Sequence, residues 1–284
     1  MKGIINVNKP KGHTSQDVVS IVRKILSTRE VGHMGTLDPQ GEGVLLVGVG
    51  KGARLFDLML KKDKVYEAEF DFGYETDTLD GDGKEIIRTN VIPSEQELIS
   101  ECKKMIGPCN QIPPKYSAKN INGRRAYDLA REGKEFTLKP CLINIYDLRL
   151  VAKTGENKYL FRIHCSGGTY IRSICRDIAY ALNSLATMTS IKRLSCGNFS
   201  ISESLSLDTI KELGQSAIMP LEKVLQPYTR VDVADNFYHK LCSGLRPDAP
   251  HGVQEPFTVY CKGELFGLGE VVEGKIRIKT YLRD

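Results

Sequence analysis

Hydrophobic and polar positions in the N-terminal part of the chain predict strands, a helix and one irregular loop. Residues 4–7 have the character of a short strand, and the apolar residues between 18 and 26 recur at helical spacing behind the N-cap residue Thr14. Residues 44–49 form a continuous apolar run typical of a buried strand, whereas residues 31–43 follow neither period and are rich in glycine. A polar loop leading into a buried strand is a common place for a functional site.

The central part of the chain mixes strands and helices. Aromatic and small apolar residues at 66, 68, 70 and 72 alternate with acids, which indicates a strand with one solvated face. Residues 93–105 have helical character with Ser94 as a possible cap, and residues 107–114 interrupt that pattern. Strands are predicted at 141–152 and 159–165, and a helix at 170–182. No regular βαβ alternation is present, so the pattern predicts an α+β fold with flanking helices and not a doubly wound sheet.

The pattern changes again after Pro227, where short strand candidates are separated by glycine-containing turns. This change predicts two domains, one over residues 1–228 and a small β domain over residues 229–284. Eight Lys/Arg and eight Asp/Glu occur from Arg230 onward, so the basic excess of the chain lies entirely in the first part. Any electrostatic contact with a polyanion is therefore expected mainly there.

Composition narrows the class of protein only slightly. The 284 residues carry 40 Lys/Arg and 35 Asp/Glu, a net charge of +5 that suits a nucleic acid without requiring one. The eight cysteines form no CxxC pair and no Cys/His cluster at zinc spacing, which favours reduced thiols in a cytoplasmic protein. No apolar stretch approaches the roughly 18 residues of a membrane span. We therefore expect no membrane contact.

Several candidate sites have ordinary structural interpretations. Asp38 precedes Pro39 in the irregular loop, and an Asp-Pro pair is more often a turn former than a catalyst. The acids in residues 77–82 do not fit the calcium-loop template, and no phosphate-binding glycine motif is present, so neither a metal nor a nucleotide cofactor is expected. On spacing alone, Arg172 is best interpreted as a solvated helix charge or a phosphate contact. The basic segment 119–134 fits a surface helix as well as a mobile RNA clamp.

Six separated motifs in this order resemble the TruB family of pseudouridine synthases. They are Asn8-Lys9-Pro10-Lys11-Gly12, the segment 32–45 around Asp38, Lys64-Val65-Tyr66, the segment 76–80, the segment 112–118, and Gly168-Thr169-Tyr170-Ile171-Arg172. The resemblance implies a mixed, largely antiparallel sheet and, more loosely, a C-terminal domain similar to a PUA domain that binds RNA. It also implies isomerisation of the uridine at position 55 in the T-arm of tRNA to pseudouridine, with no cofactor and no obligatory protein partner. Residues 107–140 would be an insertion that clamps the RNA.

Carried over residue by residue, the resemblance implies three catalytic positions and a surrounding substrate site. Asp38 would be the catalytic carboxylate, Tyr66 an active-site tyrosine and Arg172 the partner of the aspartate. The substrate contacts would be His33, Tyr66, Tyr170, Ile191, Lys9 and Asp80, and affinity would come from Lys9, Lys11, Arg124 and Arg125.

The chemistry of uridine isomerisation suits these residue types. The C1′–N1 bond breaks and the same base rejoins through C5, so no redox cofactor is required. A stacked base is inaccessible and must be flipped into a pocket with apolar or aromatic walls. Asp38 has to be ionised, and a neighbouring Arg172 would favour that form. The sequence leaves open whether Asp38 attacks covalently or assists elimination.

Two other functions remain compatible with the same residues. The basic segment and the appended β domain would also suit a tRNA-binding or folding helper whose ancestral site is idle. A guide-RNA-dependent pseudouridine synthase is the third possibility.

Overall fold

The structure, a computed structural model, describes residues 1–121 and 123–283, so Asn122 of the predicted basic segment and Asp284 of the predicted C-terminal domain lie outside the described residues. The strands in this part are β1 (Gly3–Lys9), β2 (Val31–His33), β3 (Glu42–Val49), β4 (Lys64–Phe72), β5 (Tyr74–Thr76), β6 (Glu85–Arg88), β7 (Gly107–Gln111), β8 (Asn120–Ile121), β9 (Arg124–Arg125), β10 (Cys141–Lys153), β11 (Lys158–Cys165), β12 (Ala186–Cys196), β13 (Phe199–Ser200), β14 (Met219–Pro220), β15 (Arg230–Val233), β16 (Phe257–Cys261), β17 (Glu264–Val272) and β18 (Lys275–Tyr281). The α-helices are α1 (Ser15–Leu26), α2 (Phe56–Leu60), α3 (Glu95–Lys104), α4 (Ala126–Arg131), α5 (Ile171–Ala181), α6 (Leu207–Leu213), α7 (Leu221–Val224) and α8 (Tyr238–Cys242).

One large mixed sheet forms the centre of the fold. Its strand order is β14-β1-β3-β12-β4-β11-β10-β7, with β2 beside β3 and β13 beside β12. The neighbouring pairs are antiparallel except β12 and β3, which run parallel. A second sheet has the order β15-β16-β17-β18. The predicted α+β class, with a largely antiparallel sheet and a small C-terminal β unit, is confirmed.

Local sequence signals explain where the helices begin and which strand faces are buried. Helix α1 starts at a capping box in which Thr14 and Asp17 bond each other's backbone N–H groups, and Ser94 and Glu97 do the same for α3. Along β4, the residues from Lys64 to Phe72 alternate between buried and half-buried positions. This period of two places an aromatic face of β4 against the core beneath α5.

Three elements differ from the sequence expectations. The loop 31–43 begins with a short strand, β2, because residues 31–33 pair with β3. Residues 107–111, expected to be a break, form the edge strand β7 against β10. Strand β12 was not predicted at all, although it lies in the middle of the sheet. In each case pairing with a distant strand decides the conformation, and such pairing leaves little local trace.

The C-terminal sheet packs against the large sheet through a shared hydrophobic cluster. Tyr260, Leu265, Leu268 and Leu282 belong to the same cluster of buried side chains as residues of β1, β3 and α2. Arg54 Nη1 also donates to the carbonyl of Tyr281 at 3.1 Å. The division at residue 228 stays a prediction, and the two units do not have separate cores at this contact.

Candidate active site

A cavity of about 440 Å³ opens between the large sheet and the N-terminus of α5. This volume lies within the range of small-molecule sites in proteins. Of the predicted site residues, those that line the cavity are Asp38, Tyr66, Tyr170, Arg172 and Ile191. A smaller cavity of about 190 Å³ adjoins it, sharing Asp38 and Ile191 and adding Asp80. A larger cavity, about 890 Å³, lies under residues 112–138 and is lined by neither Asp38 nor Tyr66.

Asp38 and Arg172 form an ion pair on the cavity wall. Arg172 Nη2 lies 3.1 Å from Asp38 Oδ1, and the arginine side chain is only 9% exposed while the aspartate is 33% exposed. The guanidinium also donates to the carbonyls of Thr78 and Tyr116, at 3.0 and 3.1 Å. Arg172 is therefore fixed by three separate segments. It holds a carboxylate that remains partly open to the cavity.

Asp80 forms a second ion pair with Arg172, and its side chain is more buried than that of Asp38. Its Oδ2 lies 3.1 Å from Arg172 Nη1, and its Oδ1 accepts hydrogen bonds from the Thr78 hydroxyl at 2.6 Å and from the Asp82 N–H at 3.2 Å. Burial raises the pKa of the Asp80 carboxyl, while the Thr78 hydroxyl and then Arg172 oppose that rise. One guanidinium thus bridges two carboxylates. The structure makes Asp80 a partner of Arg172, and a substrate contact by Asp80 stays a prediction.

Contacts from distant residues hold the loop that carries Asp38. Ser15, at the start of α1, bonds both the N–H and the carbonyl of Leu37 through its hydroxyl, at 3.0 and 3.1 Å. The N–H of Gly12 donates to the carbonyl of Pro39 at 2.9 Å. The loop is irregular in secondary structure, yet its backbone groups are bonded on both sides of Asp38.

Lys9 also holds the loop that carries Asp38. The side chain is fully buried, and Nζ donates to the carbonyls of Pro10, Pro39 and Gly41 at 3.0, 3.1 and 2.5 Å. Burial lowers the pKa of Lys9 to about 8, while the charge of Asp38 opposes that shift. In this structure the Lys9 ammonium is committed to backbone carbonyls, and a substrate contact by Lys9 stays a prediction. A lysine next to a proline in a polar segment looks exposed in the sequence, and only the folded loop shows that its ammonium points inward.

Tyr66 lies in the cavity beside Arg193, a residue that was not predicted. Arg193 Nε donates to the Tyr66 hydroxyl at 3.2 Å, and its Nη1 and Nη2 donate to the carbonyls of Val44 and Thr36 at 3.2 and 2.8 Å. Burial raises the pKa of Tyr66 to about 12, with the Arg193 charge opposing the rise. The phenol therefore stays protonated near neutral pH. This state suits a hydrogen-bond donor better than a general base.

Tyr170 is held at the N-terminus of α5 by a buried glutamine. Gln111 Oε1 accepts from the Tyr170 N–H at 2.8 Å, and Gln111 Nε2 donates to the Tyr170 carbonyl at 3.1 Å. Gln111 is 2% exposed, so both atoms of its amide are committed to this peptide. The clamp fixes the backbone from which Tyr170 enters the cavity and from which α5 carries Arg172.

His33 and Ile191 occupy different positions relative to the cavity. His33 ends β2 and lies outside the lining, and burial followed by the charge of Arg125 lowers the pKa of its imidazole. Ile191 is 7% exposed and contributes to both adjoining cavities. Substrate contacts by His33 and Ile191 stay predictions.

Three residues that support the site were not predicted, and only one of them had a signal in the sequence. Arg193 follows Ile191 by two positions on β12, so the period of a strand would have placed both side chains on one face. Ser15 and Gln111 gave no comparable signal, because their roles are hydrogen bonds to backbone groups 22 and 59 residues away.

No cluster of His, Cys, Asp and Glu able to hold a metal occurs within residues 1–121 and 123–283. None of the helices formed by the described residues combines the length and the apolar character that crossing a bilayer demands.

The chain is similar to proteins of a known family. A family model described as the N-terminal domain of TruB family pseudouridylate synthase matches residues 23–171. Proteins named tRNA pseudouridine synthase B are similar over most of the chain. The one from Clostridium kluyveri is 42% identical over 86% of this chain and 85% of its own. The one from Clostridium tetani is 37% identical over 99% and 100%.

Solved structures show the same fold at lower sequence identity. A chain in a structure titled as a Cbf5-Nop10-Gar1 complex matches with a TM-score of 0.74 at 24% identity, covering 99% of this chain and 84% of its own. A chain in an H/ACA RNP bound to a substrate RNA matches at 0.72 and 23%, covering 99% and 85%. From the family model and the full-length relatives together, the chain belongs to the TruB family of pseudouridylate synthases.

Proposed function

We propose that this protein isomerises a uridine in the T-arm of tRNA, at position 55, to pseudouridine, with Asp38 as the catalytic carboxylate. The observation that carries the proposal is the ion pair between Asp38 and Arg172 on the wall of a cavity of nucleoside size. The name tRNA pseudouridine synthase B, carried by relatives that match nearly the whole chain, supports tRNA as the substrate.

The cavity walls support a flipped-out base as the reacting group. Tyr170 and Ile191 offer an aromatic and an apolar face on which an extruded pyrimidine can stack. Arg172 keeps Asp38 oriented through their ion pair at 3.1 Å, and it places a positive charge beside the carboxylate on which any route through Asp38 depends. The base leaves C1′ with the electron pair of the C1′–N1 bond. C5 then bonds to C1′, after which C5 loses a proton and N1 gains one.

Replacement of the carboxylate tests the assignment of Asp38. Asp38→Asn keeps the side-chain shape but cannot form the ionised state, so pseudouridine formation in a tRNA transcript should fall by at least about 10³-fold. Binding of the same RNA should change by only a few-fold. Asp147→Asn is the matched control, because Asp147 is 45% exposed on β10, pairs with Arg149 and does not line the cavity.

The result separates the enzyme from a tRNA-binding helper. Multiple turnovers by the unchanged protein would exclude a helper with an idle site. Full turnover by Asp38→Asn would show that another group acts, and the proposal for Asp38 would be abandoned.

We propose further that residues 107–140 contain the element that clamps the RNA. Lys119 and Asn120 line the cavity, and the charge of Arg125 acts on His33, so the basic segment borders the cavity. Arg124 and Lys134 both pair with Glu132, whereas Arg125 is exposed and has no carboxylate partner among the described residues.

Arg125 is therefore the cation to remove. Arg125→Ala should weaken tRNA binding and reduce the slope of log K against log salt by about one. Binding measured by filter retention from low to moderate salt gives this slope. Arg149→Ala, which removes an exposed cation of β10 that does not line the cavity, should leave the slope unchanged. An unchanged slope for Arg125→Ala would remove this residue from the RNA interface.

We propose that the protein acts without an obligatory protein partner or guide RNA, and that it acts in the cytoplasm. The eight free thiols support a reducing compartment. The purified chain should convert a bare T-arm hairpin completely, and a strict requirement for an added RNA would favour the guide-dependent alternative.

A further inference from the structure

Arg193 is a buried cation without a carboxylate partner. It is 5% exposed and lines the cavity that contains Asp38. Within residues 1–121 and 123–283 no Asp or Glu lies at ion-pair distance from it, whereas Arg172, in the same cavity, has two such partners. A buried guanidinium whose charge is not neutralised is costly, and it attracts negative charge that develops nearby.

Arg193 contacts the hydroxyl and the ring of Tyr66 on the cavity wall. Its Nε–H donates to the Tyr66 hydroxyl at 3.2 Å, and its guanidinium carbon lies 5.4 Å from the centre of the Tyr66 ring. The phenol oxygen therefore accepts this bond and keeps its own O–H to donate. Among the described residues no acceptor lies within reach of that O–H, so a buried donor beside the cavity has no protein partner.

The proposed reaction supplies such an acceptor. When the C1′–N1 bond breaks, its electron pair stays with the base and spreads onto the uracil carbonyl oxygens. Addition of a carboxylate to the base would also place negative charge on a carbonyl oxygen. A fixed donor aimed at an oxygen that gains charge stabilises the transition state more than the bound substrate.

We propose that Arg193 is a positioning residue that fixes and polarises the Tyr66 hydroxyl as the hydrogen-bond donor to a uracil carbonyl of the flipped base. This inference rests on the proposed function. Its other two bonds, to Thr36 and Val44, attach the guanidinium to the loop before Asp38 and to β3. Arg193 thereby joins the donor to the backbone that carries the catalytic carboxylate.

A double-mutant cycle separates this role from a merely structural one. Arg193→Met, Tyr66→Phe and the double variant are compared in single-turnover pseudouridine formation at saturating tRNA, with the tRNA dissociation constant measured alongside. Each single change should slow the reaction by about 100-fold, the scale for losing one such donor, while the dissociation constant changes less than about threefold. The double variant should be about as slow as Tyr66→Phe alone, because Arg193 acts through that hydroxyl.

Arg23→Met is the matched control. Arg23 is a half-buried arginine whose Nη2 donates to the carbonyl of Val31 at 2.8 Å, and it does not line the cavity. Its loss should reduce thermal stability without changing the single-turnover rate. If Arg193→Met does not fold, the cycle is run with Arg193→Lys, which keeps the charge but loses the forked set of bonds. A loss of about tenfold that vanishes in the Tyr66→Phe background is then expected.

Several outcomes would overturn the inference. They are a rate for Arg193→Met like that of Arg23→Met, an effect confined to the dissociation constant, and losses that multiply in the double variant. Each of these comparisons is made against an unchanged protein that forms pseudouridine. Absence of pseudouridine with the unchanged protein would instead reject the proposed function itself.

Discussion

Buried cations bonded to backbone carbonyls recur around the site. Lys9 donates to three carbonyls, two of them one and three residues after Asp38, and Lys64 donates to the carbonyls of Met59, Leu60 and Lys62 at the end of α2. A charge buried in this way is tolerated because each of its N–H groups meets an oxygen. These lysines stabilise turns that no regular secondary structure would hold.

Lys9→Met should destabilise the protein by about 3 kcal/mol, because three buried carbonyls lose their charged donor. Urea unfolding near pH 7 measures the difference in the free energy of unfolding between this variant and the unchanged protein. Lys24→Met, in the exposed last turn of α1, should cost much less. Equal effects for the two variants would mean that the ammonium of Lys9 contributes nothing to the loop.

The lowered pKa of Lys9 gives that contribution a pH dependence. The pKa of about 8 in the folded state lies below the ordinary lysine value of 10.5, so between these two pH values the unfolded chain binds more protons. The contribution of Lys9 to the free energy of unfolding should therefore rise from pH 8 to 10.5. The difference between the unchanged protein and Lys9→Met, followed over this range, should grow with pH. A flat or falling difference would contradict the shift.

At the scale of elements, the parallel contact between β3 and β12 sets the distance between the Asp38 loop and Arg193. Arg193 pairs with Gly43, which has φ +101°. A Cβ added to Gly43 would lie 2.2 Å from the carbonyl oxygen of Arg193, closer than any side chain allows. Only glycine permits this approach of the two backbones.

Gly43→Ala should therefore destabilise the fold by about 3 kcal/mol and reduce pseudouridine formation, since both the backbone conformation and the strand contact are disturbed. Gly107→Ala is the matched control, with a similar φ of +117° but nothing within 4 Å of the added Cβ. Thermal unfolding and activity of both variants decide the point. If Gly43→Ala were no less stable than Gly107→Ala, β3 and β12 could move apart without loss of stability.

At the scale of the whole molecule, the C-terminal sheet and the large sheet share a core. Leu282, in the penultimate described position, is fully buried in the same cluster as Ile4, Leu46 and Leu55. Lys2 Nζ donates to its carbonyl at 3.2 Å, which brings the two ends of the chain together. A boundary in sequence near residue 228 need not be a boundary in stability.

Leu282→Ala should lower the stability of both units by about 2–5 kcal/mol, because the removed side-chain atoms leave a new void in the core that the two units share. Hydrogen exchange of amides in β1 and β3 reports on the large sheet during this change. Leu245→Ala, at a position 56% exposed in the C-terminal unit, is the control. Unchanged protection of β1 and β3 in Leu282→Ala would show that the units unfold independently.

The sequence by itself determined the α+β class, the capped helices α1 and α3 and the alternating strand β4, because these depend on local periodicity and capping. Its motifs also led to Asp38, Tyr66 and Arg172. Only the tertiary structure decided that β12 lies centrally, that Lys9 is buried and that Arg193 bonds Tyr66. Those facts depend on which distant backbone carbonyls and hydroxyls come within hydrogen-bond distance, and neither strand pairing nor burial of a polar side chain has a local sequence period.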